Sequence, residues 1–96
     1  MFSFNLKPRF TRRYARLVRK NRQLEPQIDE VLDRLAADPR DPKLSSHKVT
    51  AWDRESAFSS TVTGDLRIIW RYAETGAEVI DLIDLGGHSG AKKVYR

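Results

Sequence analysis

Ninety-six residues, 40% of them hydrophobic, suffice for one small domain with one core and not for two. The absence of cysteine excludes disulfide staples, thiolate metal ligands and a thiol nucleophile. It suits a cytoplasmic protein, and no run approaches the roughly 18 consecutive apolar residues of a membrane span. The net charge of +5 is unevenly spread: residues 1–24 hold eight Lys or Arg and no acid, whereas the remainder holds ten bases and thirteen acids.

Such a basic amphipathic start can imitate an organelle transit peptide. The alternation of Phe2, Phe4 and Leu6 argues instead for a first core strand, and Lys7-Pro8 ends it with a proline suited to the first turn of a helix. From Pro8 to about Asn21, Phe10, Tyr14, Leu17 and Val18 fall on one helical stripe, with Arg12, Arg16 and Arg19 on another. A second helix is expected from about Pro26 to Ala37, with Ile28, Val31, Leu32 and Leu35 inward. Asp38-Pro39 stops it, because a residue before proline is pushed out of the α region. A short link between two amphipathic helices makes them an antiparallel hairpin.

Residues 39–56 read as a connection with one extended piece around His47–Thr50. The β-branched and small residues of AFSSTVT (57–63) then form a strand, Gly64-Asp65 a turn, and LRIIWRY (66–72) the returning strand. On that strand Leu66, Ile68, Trp70 and Tyr72 share one face and Arg67, Ile69 and Arg71 the other. The near-continuous apolar run EVIDLIDL (78–85) predicts a last strand covered on both faces. The expected architecture is α+β: a short N-terminal strand, a two-helix hairpin, and an antiparallel meander of three to four strands with both helices on one face, in one domain over residues 1–96.

The helices leave the other sheet face partly open, and that face is where a site is expected. Taken alone, Arg67 and Arg71 are ordinary solubilising charges on a strand. Their company argues otherwise: His47 precedes the meander, Asp65 sits in the turn before Arg67, and His88 follows the last strand after Gly86 and Gly87. In a meander the start of 66–72 and the end of 78–85 lie at the same edge, so Arg67 and His88 can approach. The two glycines would let the chain turn out of the strand and set His88 over the open face. Two imidazoles can serve as base and acid near neutral pH, and a guanidinium can stabilise charge on a phosphate. That set suits phosphodiester cleavage by an RNA's own 2′-hydroxyl, a route that calls for no metal or cofactor. Neither HxxxH spacing nor a serine nucleophile elbow is present.

RNA also accounts for the acid-free helix. Arg9, Arg12, Arg13, Arg16, Arg19 and Lys20 are expected to engage phosphates without reading sequence, and Lys43, Lys48, Arg71, Lys92 and Lys93 extend the basic set. A helix face kept only for solubility normally mixes signs. Tyr95, among Lys92, Lys93 and Arg96, is placed either to stack on a base or to anchor the C-terminal tail on the sheet.

Three segments carry a resemblance: LAADPRDPKLSSHKV (35–49), GDLRIIWRY (64–72) and DLIDLGGHSGAKKVY (81–95). In this order they resemble the RelE/ParE superfamily of bacterial toxins, and within it the RelE/YafQ-type mRNA interferases, over nearly the whole chain. The resemblance implies a type II toxin that cleaves mRNA in the decoding site of the ribosome, contacts ribosomal RNA, and is blocked by a cognate antitoxin. By position it makes His47, Asp65, Arg67, His88 and Tyr95 the catalytic set: one histidine takes the 2′-hydroxyl proton, the other protonates the leaving oxygen, and Arg67 holds the phosphate. The chain departs from the YafQ branch in three places. Thr61 stands where a further histidine can occur, His88 and Tyr95 are more widely spaced, and HKVTAW lacks the glycine that often follows the loop's basic residue, leaving Lys43 and Lys48 as substitute phosphate contacts. The rival expectation is a catalytically silent toxin or remnant of the same fold that grips another protein, and the plainest is a basic RNA-binding domain.

Overall fold

The structure is a computed structural model that describes residues 1–75 and 77–87. In chain order it contains β1 (Ser3–Leu6), α1 (Pro8–Lys20), α2 (Leu24–Ala37), a single 3-10 turn (Pro42–Leu44), β2 (His47–Thr50), β3 (Ser56–Thr61), β4 (Leu66–Tyr72) and β5 (Val79–Gly87). The five strands form one sheet in the order β1-β5-β4-β3-β2. Strands β2 to β5 are the expected antiparallel meander, and β1 pairs with β5 in parallel.

Local chemistry sets the helix ends. Pro8 opens α1, and the Asn21 N–H closes it by donating to the Leu17 carbonyl. Helix α2 begins two residues earlier than expected, at Leu24, and stops at Asp38, before Pro39. The Tyr14 hydroxyl of α1 donates to Asp29 of α2 at 3.1 Å. Partial burial and the Asp29 carboxylate hold the phenol above its ordinary range.

Both helices cover one sheet face, where Phe10, Ile28 and Leu35 pack with Leu66, Ile68, Trp70, Ile80, Leu82 and Leu85, all buried. A bulge in β5 aligns this layer: Ile68 faces Leu85 and Trp70 faces Leu82, so Ile83 is the extra residue. Leu82 and Leu85 thus both reach the helices, while Ile83 joins Ile69 in a second cluster.

That second cluster agrees with the expectation of a last strand covered on both faces and an outer face only partly open: Ala51, Ala57 and Val49 close over Ile69 and Ile83. Two isoleucines at the sheet centre are too apolar to leave in water, and burying each is worth about 1.5–3 kcal/mol. One expectation is corrected at Gly86 and Gly87. They do not turn the chain out of the sheet: β5 runs through both, with Gly86 opposite Arg67 and Gly87 opposite Leu66. Glycine permits a turn without requiring one, and here the ladder with β4 satisfies the backbone.

Candidate functional site

Arg67 lies at the turn end of β4, half-buried, where its Nη1 donates to the Thr63 carbonyl at 2.7 Å and to that of Leu66 at 3.3 Å. The Thr63 hydroxyl in turn accepts the Leu66 N–H at 3.1 Å. The turn that carries Asp65 thereby fixes the guanidinium, and Asp65 itself is exposed on that turn.

His47, exposed at the start of β2, pairs with Ser59, and Arg67 pairs with Thr61 on the same strand β3. Ladder partners in antiparallel strands share a face, so His47, Ser59, Thr61 and Arg67 lie together on the face away from the helices. His47 and Arg67 stand two strands apart, a lateral separation of about 10 Å. The loop before His47 is tied down beneath: the Ser46 and Ser60 hydroxyls lie 2.6 Å apart, and the buried Ser60 hydroxyl accepts the Trp70 indole N–H at 2.8 Å. His88, Lys92, Lys93 and Tyr95 lie outside the described residues.

The basic residues divide into two groups. Arg12, Arg16, Arg19 and Lys20 of α1 are exposed. Arg9 and Arg13, from the same helix, instead converge on Asp84, a fully buried carboxylate, with Arg9 Nε at 2.9 Å and Arg13 Nη1 at 3.5 Å. The Leu85 N–H donates to Asp84 as well, at 2.8 Å.

Arg71 is likewise committed inside the protein. Its two terminal nitrogens meet the two oxygens of Asp53 at 2.9 and 3.0 Å, its Nε donates to the Ser56 carbonyl at 3.1 Å, and Glu55 lies 3.5 Å away. The Arg71 hydrogen bonds hold Asp53 below the usual carboxylate range, and the Asp53 hydrogen bonds raise Arg71 in return. The internal pairing of Arg9, Arg13 and Arg71 departs from the expectation that all three meet phosphates. Lys48 pairs with Phe58 and therefore projects to the helix side, away from His47 and Arg67, while Lys43 lines a separate groove with Arg34 and Thr61.

Residues that sequence reasoning passed over also shape this face. Trp52 is 47% exposed in the 51–55 turn, and the Arg9 guanidinium lies 5.1 Å from its ring centroid. Asp53 and Asp84 anchor arginines from distant elements. The only local signal was an aspartate inside an apolar strand run.

No protein-family model and no curated protein matches the chain. Solved structures do match it in fold. A YoeB/ParE toxin from Agrobacterium tumefaciens superposes with a TM-score of 0.72 at 16% identity, covering 93% of this chain and 100% of that one. YafQ from E. coli gives 0.67 at 11% identity, covering 91% and 93%, and a YoeB-YefM complex from Staphylococcus aureus gives 0.66 at 14% identity, covering 93% and 99%. The chain has the fold of the RelE/ParE-type toxins.

Proposed function

We propose that this chain is the toxin of a type II toxin–antitoxin pair and acts in the cytoplasm as a ribosome-dependent endoribonuclease. The 2′-hydroxyl of the nucleotide before the scissile linkage attacks the adjacent phosphorus. The P–O5′ bond breaks, leaving a 2′,3′-cyclic phosphate on one fragment and a 5′-hydroxyl on the other. Arg67 binds the phosphate oxygens and stabilises their growing charge. His47 and His88 divide the removal of the 2′ proton and the protonation of the leaving oxygen, with Asp65 and Tyr95 at the rim.

The observation that supports this reading best is the shared face of Arg67 and His47, with the guanidinium fixed by backbone carbonyls and glycine as its neighbour on β5. A phosphate seat needs a cation that is held in place but not neutralised by an acid. No ion pair engages Arg67 among the described residues, in contrast to Arg9, Arg13 and Arg71. The exposed stripe of Arg12, Arg16, Arg19 and Lys20 supplies sequence-independent affinity for ribosomal RNA and mRNA. The fold shared with a toxin in a YoeB-YefM complex supports a cognate antitoxin as protein partner.

Mapping of mRNA 5′ ends after induction tests the reading. The native chain should create new termini within translated regions, and Arg67→Ala should abolish them. Growth arrest without new termini would replace this reading with that of a catalytically silent toxin gripping a protein.

A further inference from the structure

A groove of about 390 Å³ opens between the start of α1 and the 51–55 turn, within the size range of small-ligand sites. It is lined by Lys7, Arg9, Arg12, Arg71 and Asp53, with Pro8, Trp52 and Ile83 as its apolar surface. Lys7, Arg9 and Arg71 are paired with Asp81, Asp84 and Asp53, and Arg12 is the lining cation that no ion pair engages among the described residues. We propose that this groove is a subsite for one unpaired base of the RNA strand, with Trp52 as stacking platform and Arg12 as contact to the neighbouring phosphate. The proposal rests on the RNA-cleaving reading above and adds a recognition element to it.

Three observations carry it. The first is that Trp52 stays half exposed although the cluster beneath its turn is closed by Ala51, Ala57 and Val49. A large aromatic surface is thus kept in water at a position where burying Ile69 and Ile83 does not call for it.

The second is that the ring is braced. Arg9 lies over the indole, and the same guanidinium is fixed by the buried Asp84 at 2.9 Å. A stacking partner therefore meets an aromatic surface already held in place, which lowers the ordering cost of binding. Indole and guanidinium planes stack on any base, so the chemistry suits a strand read by shape and charge.

The third is the route to Arg67. Arg13 and Arg16 flank a small cleft against Leu85 and Gly86, and Gly86 is the ladder partner of Arg67. From there the exposed Arg16 and Arg12, one helical turn or about 6 Å apart, lead along α1 to the groove. A strand with its scissile phosphate at Arg67 would pass the exposed Arg16 and Arg12 on the way to Trp52. An acidic peptide would satisfy the charges but would leave the indole without a planar partner.

The protein reports its own occupancy, because Trp52 is half exposed while its second tryptophan, Trp70, is buried at 1%. The probe is a single-stranded ten-nucleotide RNA with 2′-O-methyl groups at every sugar, which blocks cleavage, and with a 5′ fluorescent label whose anisotropy gives the affinity of variants that lack the Trp52 indole. It is compared with the same strand carrying abasic positions and with a polyglutamate peptide of equal charge. The expected result is saturable quenching by the base-bearing strand, weaker quenching by the other two, roughly tenfold weaker binding for Trp52→Ala, and near-native binding for Trp52→Phe. Arg12→Ala should lower the slope of log affinity against log salt by about one. Thermal melting and Trp70 emission establish that each variant is folded.

Native affinity in folded Trp52→Ala, or equal quenching by the abasic strand or the peptide, overturns the subsite. If that occurs while new mRNA termini still form on induction, the ribonuclease reading stands without it. Base-dependent binding that weakens in Trp52→Ala and is retained in Trp52→Phe, read by anisotropy of the labelled strand, with no new termini, keeps the subsite and removes the cleavage.

Discussion

Arg67 and Gly86 face each other across the β4–β5 ladder, so the arginine of the proposed site has a strand neighbour with no side chain. Its own anchors are the Thr63 and Leu66 carbonyls, which leaves the rest of the guanidinium for a phosphate. Arg67→Lys keeps the charge but loses the planar fork that can hold a carbonyl and a phosphate together. It should therefore lower mRNA cleavage by about a hundredfold or more while costing the fold only about 1 kcal/mol. Primer extension on a reporter transcript, beside a thermal melt, checks both halves.

Asp84 holds α1 against β5 through Arg9 and Arg13. Removing the carboxylate leaves partly buried guanidiniums without a counter-charge, and Asp84→Ala should cost about 3 kcal/mol. The Arg13 Nη1 atom is already buried without a hydrogen bond among the described residues and leans on Asp84 for charge balance. Asp84→Ala should thus destabilise more than Arg9→Ala, whose loss leaves Arg13 in place. Urea denaturation of the two variants measures the order.

The Asp53–Arg71 pair gives a pH signature. Asp53 titrates below its ordinary value of 3.8 in the folded chain. The pair's contribution is therefore complete above that value and disappears as pH falls through the lower, folded pKa, with Arg71 charged throughout. Asp53→Asn should cost about 1–2 kcal/mol near neutral pH, a range that allows for the partial exposure of both side chains. The gap between the melting temperatures of native chain and variant should hold constant from about pH 7 to 5 and close below about pH 4.

Ser60 joins the core to the His47 loop. Its hydroxyl accepts the Trp70 indole N–H and bonds Ser46, so Ser60→Ala leaves a buried donor unsatisfied at about 1–3 kcal/mol. Ser46→Ala spares the indole and should cost less, yet both loosen the segment before His47. If His47 transfers a proton, both variants should lower cleavage, and Ser46→Ala should do so with little change in melting temperature. Unchanged cleavage in Ser46→Ala would show that the position of His47 does not matter.

Much of the fold was legible because its signals are local. The alternation in 66–72 marked β4 to the residue, and Pro8 and Asp38-Pro39 marked a helix start and a helix stop. The pairing of β1 with β5 was not legible, since no pattern near Ser3–Leu6 names a parallel partner some 76 residues away. The site was legible to the extent that one strand's alternation put Arg67 on the face away from the helices. The commitments of Arg9, Arg13 and Arg71 were not, because a helical stripe tells which residues share a side and says nothing of a carboxylate arriving from another element. Gly86-Gly87 misled for a related reason: the residue type records what the backbone is permitted to do, and the neighbouring strand decides what it does.

The parallel union of β1 with β5 also orders events in time. Among the described residues β1 finds its one strand partner in residues 79–82, so the sheet cannot close until those residues have been synthesised. At synthesis rates of about 5–20 residues per second, Phe2, Phe4 and the apolar stripe of α1 wait several seconds without their final cover. During that interval the nascent chain has no completed sheet on which Arg67 and His47 could act together, and its uncovered apolar surface is open to whichever protein reaches it first.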